Sequence, residues 1–366
     1  MSLKKDNLNS FDKKHMQLAI NLAKNQKNNT GQNPSVGCVI VKNRKIVSFS
    51  NTNDNGRPHA ETIALKHNKK NNKGSTVYLS LEPCSHYGKT PPCTNALIKS
   101  EVKKVYFSKN DSDERSKFKA IKILKNNKIL TKSGLLKSET KSLYKEYDYV
   151  RKNKLPYVVG KIACFKNNYI YNNNLPITNN HSKSVSHLLR SQNDAILTSY
   201  KTINKDNPKL TCRLFGLENK SPKRVVIDVG LKIKMKSYVI KNSKFPKTII
   251  IHNSNNKKKI SKLKKLGVKM INLNISKNSH FNLVDVLKKL HKINIHKVLV
   301  EVGKDLTNQM ISCNFYNEFY LFKSSRYLNP KDGINISKII RKLNKKYKKI
   351  INLNTYLDKD NIIHYH

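Results

Sequence analysis

Residues 58–65 read PHAETIAL and residues 78–93 read YLSLEPCSHYGKTPPC. Together they hold one imidazole, His59, a carboxylate two positions on, Glu61, and two thiols, Cys84 and Cys93, each directly preceded by proline. Zinc that must hold a reactive water takes three nitrogen or sulfur ligands and keeps the fourth tetrahedral position open. His59, Cys84 and Cys93 supply that number, and Glu61 is left over as an acid/base. Two thiolates cancel the charge of the ion while the imidazole stays neutral, so the water of such a site has its pKa brought to roughly 7. Apolar spacing after Pro58 (Ala60, Ile63, Ala64, then His67) predicts a helix with His59 and Glu61 in its first turn, where the positive helix end favours the carboxylate. Pro91 and Pro92 lead Cys93 into a second predicted helix, TNALIKS, and a thiolate at a helix start is stabilised. The alternatives for the same residues are a packing histidine with two buried thiols, or a Cys84–Cys93 disulfide. The second needs an oxidising compartment, yet no secretory leader is recognised and Cys38, Cys164, Cys212 and Cys313 are scattered singly.

The order H-x-E…P-C is the signature of zinc-dependent base deaminases, which commonly close it with P-C-x-x-C. Here eight residues, SHYGKTPP, separate the thiols. That longer insert, ending in GKTPPC, resembles the deaminase half of the bifunctional riboflavin-biosynthesis deaminase/reductase family. The resemblance implies a cytidine-deaminase-like three-layer α/β/α domain. It also implies a pyrimidine substrate carrying a ribose 5-phosphate, attacked by zinc-generated hydroxide at an amino-bearing ring carbon. Glu61 would move the protons, and Asn33 and Lys89 would contact the substrate. On residues alone, Asn33 is the turn residue of an Asn-Pro pair and Lys89 an exposed loop lysine.

The 366 residues suggest two domains of roughly 100–200 residues each. They are expected at 1–150 and 151–366, with the boundary near 145–155, where the charged SLYKEYDYVRKNK gives way to Pro156. No apolar run approaches the roughly 20 residues of a membrane span, so a soluble cytoplasmic enzyme with no membrane partner is expected. A net charge of +50, from 73 Lys and Arg against 23 Asp and Glu, ordinarily points to a polyanion partner. The excess here is spread with Asn and Ile along the chain and gathers in no tail or helix face, so non-specific nucleic-acid binding at low salt is expected and a specific nucleic-acid partner is not. A homo-oligomer of unspecified order is expected. Residues 11–27 predict a first helix, and VGCVIV, KIVSFS, TVYLSL, EVKKVYFS and KILTKSG predict strands, with KFKAIKILKNN a helix between the last two. This alternation argues for an α/β sandwich with a partly parallel sheet.

From residue 156 onward, seven β-rich runs alternate with helical patterns: PYVVGKIACF, AILTSY, RVVIDVG, KTIIIHN, GVKMINL, KVLVEVG and EFYLFKS. They predict a second α/β domain on a mostly parallel sheet, and no G-x-G-x-x-G follows its first strand, which argues against an ordinary Rossmann site. KVLVEVG ends at Gly303 and runs into the helical DLTNQMIS, a start whose N–H groups suit a phosphate, or else a plain glycine turn. In order, Lys161, AILTSYKTINKDNPKLTCR, RVVID and VEVG match landmarks of the same family's reductase half, which implies a dihydrofolate-reductase-like fold using NADPH. Carried over by position, the resemblance implies that Thr202, Asp206, Gly303, Lys304, Asp305, Leu306 and the backbone of Cys164 would contact the cofactor. Arg190, Leu210, Arg213 and Glu301 would hold the phosphoribosylamino-pyrimidine, the arginine forks suiting a phosphate. The implied step is hydride transfer to C1 of the opened ribose. Residue-level alternatives are a turn at Asp206-Asn207-Pro208 and a surface-helix Arg190. The chain departs from the family at NDSDERSK (110–117), at Phe165, Asn167 and Asn168 in place of a serine and an Asp-Gly turn, at Pro176, and at SSRYLN (324–329).

Two other functions fit part of the pattern. One is a nucleic-acid base deaminase of the tRNA type with a basic RNA-binding domain, against which the eight-residue thiol spacing and the absence of stacking aromatics in a basic stripe argue. The other is a deaminase that keeps an inactive reductase-like domain.

Overall fold

The computed structural model describes residues 10–171, 176–276, 280–353 and 357–366, and the chain divides into two units, Met1–Lys154 and Leu155–His366. In the first, chain order runs α1 (Ser10–Asn25), β1 (Gly37–Lys42), β2 (Lys45–Asn51), α2 (Ala60–His67), β3 (Thr76–Leu79), α3 (Cys93–Lys99), β4 (Lys104–Phe107), α4 (Lys119–Asn126), β5 (Leu130–Ser133), α5 (Lys137–Thr140) and α6 (Lys145–Asn153). The sheet order is β2-β1-β3-β4-β5, with β1 antiparallel to both neighbours and β3, β4 and β5 parallel.

Side chains alternate along each strand, and the alternation sorts the core into two layers. Cys38, Ile40, Val77, Leu79, Val105 and Phe107 pack with Ala60 and Ala64 of α2, Leu97 of α3 and Leu124 of α4. Val39, Val41, Tyr78 and Tyr106 pack on the opposite face with Met16, Ala19 and Ile20 of α1. α1 lies so close to β1 that a Cβ at Gly37 would stand 1.9 Å from the Ala19 carbonyl oxygen, which restricts that position to glycine. The three-layer α/β/α arrangement expected from the sequence is the one observed.

The second unit runs β6 (Tyr157–Cys164), β7 (Tyr169–Tyr171), α7 (Asn180–Ser191), β8 (Ala195–Ser199), α8 (Tyr200–Asp206), β9 (Lys223–Ile227), α9 (Tyr238–Lys241), β10 (Thr248–His252), α10 (Lys257–Lys265), β11 (Lys269–Asn272), α11 (Leu283–Lys292), β12 (Lys297–Val300), α12 (Lys304–Ser312), β13 (Glu318–Lys323), β14 (Gly333–Asn335), α13 (Ser337–Lys346), β15 (Ile350–Leu353) and β16 (Asn361–Tyr365). Nine strands form one sheet in the order β11-β10-β9-β8-β12-β6-β13-β16-β15, parallel except where β16 meets β13 and β15. β7 and β14 make a separate ribbon. One face of the large sheet, with Val158, Leu197, Val225, Ile251, Val300 and Leu321, packs on α11, α12 and α13. The residues that alternate with them, such as Val159, Ile196, Val226, Ile250 and Leu299, are buried too, as a parallel sheet covered on both faces requires. β8, β12 and β6 are adjacent and parallel at the middle of the sheet, so the residues at their C-terminal ends emerge along one edge.

Candidate active sites

In the first unit, His59 is the N-cap of α2, with φ −71° and ψ 155°, rather than a first-turn residue. Its backbone is extended and its side chain makes no cap hydrogen bond, and Glu61 stands in the first turn, only 3% exposed. Cys84 follows β3 in a loop, and Cys93 opens α3. The ring Nδ1 of His59 lies 3.3 Å from Cys93 Sγ and 3.7 Å from Cys84 Sγ, and the three ligand atoms fall within 4.8 Å of one another. Tetrahedral zinc with Zn–S near 2.3 Å and Zn–N near 2.0–2.1 Å sets its ligand atoms roughly 3.5–3.8 Å apart, so the set fits the ion. All six cysteines are free thiols, which sets aside the disulfide alternative.

The backbone N–H of Cys93 donates to Cys84 Sγ at 3.2 Å, directing the start of α3 at that sulfur. Hydrogen bonds from Cys93 and His59 hold the Cys84 thiol well below its ordinary pKa, while the bond to Cys84 and burial push Cys93 up. Thiol ligands bind a dication as thiolates, so metal binding there releases protons. Burial raises the Glu61 carboxyl above the usual carboxylate range. Cys93→Ser should lower zinc affinity by more than the roughly 10–100-fold that an outer-shell partner costs, read as metal content against a competing chelator; unchanged content would mean another ligand serves.

Around these four side chains the structure adds groups that the sequence did not single out. Glu82, buried just before Pro83-Cys84, accepts from the backbone N–H groups of Asp111 (3.0 Å), Phe118 (3.1 Å) and Ala120 (3.2 Å). One carboxylate thereby organises the departing segment 110–117 and anchors the loop that presents Cys84. Ser116 of that segment meets His86 Nδ1 at 2.7 Å. The signal for His86 was its place inside the eight-residue insert, two positions after a ligand. Asn33 donates from Nδ2 to the Gly56 carbonyl at 2.8 Å, steadying the turn that leads to His59. Gly56 has φ +85°, and a Cβ there would meet the Thr30 carbonyl oxygen at 2.5 Å. Lys89 is exposed on the loop between the two cysteines.

In the second unit the C-terminal edge collects charge. Arg190, in the last turn of α7, donates Nε and Nη2 to the two carboxylate oxygens of Glu301, both at 2.9 Å, and Nη1 to the Thr211 carbonyl at 3.2 Å. Arg190 is therefore no surface residue. The side of its fork imagined for a phosphate is already engaged, which leaves the outer Nη hydrogens for a ligand. Glu301 follows β12 next to Lys161 of β6, since Val300 pairs with Gly160. Burial would raise the Glu301 carboxyl, but Arg190 and Lys161 outweigh it and hold it at about 2. Burial pushes the Lys161 ammonium down.

Thr202 sits in α8, its N–H donating to the N-cap hydroxyl of Ser199, and Asp206 ends the same helix on the surface. Leu210 is buried and left-handed at φ +53°, and Arg213 is exposed beyond it. Gly303 caps α12, whose first turn holds Lys304, Asp305 and Leu306. A Cβ at Gly303 would meet nothing within 4 Å, so the surface over this helix start is open to a ligand. The N–H groups of that first turn suit a dinucleotide phosphate, and NADPH fits. The carbonyl of Cys164 accepts from the Ser324 N–H at 2.8 Å, so part of its expected cofactor contact is taken by the protein. Asn168 holds φ +64°, which asparagine tolerates, so the departing turn keeps a left-handed corner without its glycine. At the other departures, Arg326 binds the carbonyls of Pro176 and Ile177.

Hydrolytic deamination on one unit and nucleotide-dependent reduction on the other are the chemistries these arrangements serve, which places the chain among bifunctional zinc deaminase/reductases. Residues 9–109 match the family model for the cytidine and deoxycytidylate deaminase zinc-binding region, and residues 171–328 match that for the RibD C-terminal domain. The riboflavin biosynthesis protein RibD of Aquifex aeolicus is 33% identical over 337 residues, 90% of each chain. That of Buchnera aphidicola is 32% identical, over 86% of this chain and 87% of the relative. Among solved structures, Acinetobacter baumannii RibD superposes with a TM-score of 0.83 at 26% identity, covering 97% of this chain and 98% of that one. A diaminohydroxyphosphoribosylaminopyrimidine deaminase/5-amino-6-(5-phosphoribosylamino)uracil reductase from Thermotoga maritima gives 0.79 at 25% identity, with the same coverage. The chain belongs to the RibD family of riboflavin biosynthesis proteins, bifunctional deaminase/reductases with a zinc-binding deaminase domain and a reductase domain.

Proposed function

We propose that this chain deaminates 2,5-diamino-6-(5-phosphoribosylamino)pyrimidin-4-one through residues 1–154 and reduces the product's ribosylamino group to ribitylamino through residues 155–366. The observation that carries the proposal is the convergence of His59, Cys84 and Cys93 beside the buried Glu61. Zinc, when bound, supplies the Lewis acidity that makes water nucleophilic near neutral pH. His59, Cys84 and Cys93 hold it. Glu61 takes one proton of the attacking water and gives it to a ring nitrogen, then takes the remaining proton from the new hydroxyl and gives it to the departing amine, so that the C–N bond breaks, a carbonyl is left on the ring and ammonia leaves. Asn33 and Lys89 orient the substrate, the lysine as a point charge for the ribose phosphate.

NADPH supplies the hydride in the second unit. Thr202, Asp206, the backbone at Cys164 and the helix start at Gly303, Lys304, Asp305 and Leu306 hold the cofactor. Arg190, Leu210, Arg213 and Glu301 hold the sugar-phosphate pyrimidine. The six free cysteines suit a reducing cytoplasm, and assembly into a homo-oligomer belongs to the same proposal.

The test is to assay each half-reaction with synthetic substrate, with and without NADPH. Ammonia release without NADPH, followed by NADPH oxidation, is expected. Deamination of a tRNA oligonucleotide but not of the pyrimidine would overturn the assignment, and deamination with no NADPH oxidation would reduce the second unit to a scaffold. Asp206→Ala should raise the KM for NADPH roughly tenfold, the worth of one hydrogen bond to a charged group, and spare ammonia release. Equal loss of both activities would point to misfolding instead.

A further inference from the structure

Segment 207–213, which carries Leu210 and Arg213, holds Leu210 in a conformation that leucine does not favour. Asn207 and Leu210 lie in the left-handed region at φ +41° and +53°, and leucine rarely adopts it. Three side chains from elsewhere in the unit take the two carbonyls on either side of Leu210. Before it, the Lys209 carbonyl accepts from Arg224 Nε at 3.0 Å. After it, the Thr211 carbonyl accepts from His187 Nδ1 at 3.0 Å and from Arg190 Nη1 at 3.2 Å. A carbonyl only accepts, so the proton of His187 is fixed on Nδ1.

Arg224 reaches the Lys209 carbonyl as one of three backbone carbonyls that it binds. It is fully buried on β9 and spends Nη1 on the carbonyls of Asn242 (2.8 Å) and Pro246 (3.2 Å). None of the ion pairs among the described residues involves it, and its Nη2 is buried without a hydrogen-bond partner. A buried guanidinium held by carbonyls and one ring face, here Tyr238 at 5.7 Å, with no carboxylate to neutralise it, is disfavoured against an apolar side chain of similar size, unless what it holds is needed. His187 is likewise kept uncharged, since burial and the nearby Arg190 and Arg213 push its pKa down to about 4.

We infer that His187 and Arg224 are positioning residues of the reductase site: they pin the two carbonyls that flank Leu210 and keep segment 207–213 in its substrate-binding shape. The inference rests on the proposed assignment of Leu210 and Arg213 to the substrate. Three full-length variants test it: His187→Leu, His187→Asn, whose amide can replace the Nδ1–H donor, and Arg224→Met.

In His187→Leu the KM for the phosphoribosylamino-pyrimidine should rise roughly tenfold, as for one lost buried hydrogen bond, with the KM for NADPH and ammonia release unchanged. His187→Asn should restore most of that loss. Amide hydrogen exchange at Leu210–Arg213 should quicken in His187→Leu, and in Arg224→Met if that protein folds. A lower melting temperature with an unchanged pyrimidine KM would show a merely structural role and overturn the inference. A wild-type protein that oxidises no NADPH with this substrate would instead sink the assignment of Leu210 and Arg213, and the positioning role with it.

Discussion

Glu61→Gln is expected to keep zinc bound and to slow ammonia release by about 10²–10⁴-fold, the contribution a positioned general acid/base makes. Glutamine matches the shape of the buried side chain, so the change removes proton transfer and little else. Glu61 suits the task because of where α2 places it. It stands in the first turn of the helix whose N-cap is a metal ligand, 3% exposed, and burial moves its carboxyl toward the pH at which it must both take and give a proton. The check pairs an ammonia assay with zinc analysis and with NADPH oxidation on substrate that has already been deaminated. Full zinc, intact reduction and lost deamination are the expected triplet. A deamination rate within tenfold of wild type would take Glu61 out of the mechanism.

The second large effect concerns stability. Glu301→Ala would leave Arg190 and Lys161 facing each other near a mostly buried site with no anion between them. Side chains of Arg190 and Glu301 are only 13% and 15% exposed, so breaking the pair should cost about 3–5 kcal/mol at neutral pH. The effect has a pH signature. Glu301 has its folded pKa depressed to about 2 against about 4.3 for a free glutamate, so the stabilisation is fully present above the unfolded value and is lost as pH falls through the folded one. Denaturant titrations at neutral pH should show the full gap between wild type and Glu301→Ala, and the gap should narrow as pH is lowered from about 4 toward about 2. Equal stability at neutral pH would show that the pair carries no net weight.

The metal set was legible in the sequence because its signals are local. Each cysteine follows a proline, Glu61 is two residues from His59, and the helix starts are marked by their own prolines. The central strand runs of the second unit were legible for a similar reason, since strands buried on both faces are apolar nearly throughout. What stayed hidden depends on distant partners. Nothing near Arg190 announces that its guanidinium closes on a carboxylate 111 residues away, and nothing in LEPC shows that Glu82 binds three N–H groups of the loop beyond β4 and the start of α4. The β15 and β16 hairpin escaped because IINL and NIIHY are short and only partly buried, so they lack the apolar continuity of the central strands. His187 carried no motif at all, and its role emerges only when the Thr211 carbonyl folds back onto α7.

The central claim is that His59, Cys84 and Cys93 hold one zinc ion with a position left for water. X-ray absorption at the zinc edge of the purified protein tests it most directly. The expected first shell has two sulfurs near 2.3 Å, one nitrogen near 2.0–2.1 Å and one further light atom. A protein without zinc, or a shell with four sulfurs or none, would contradict it.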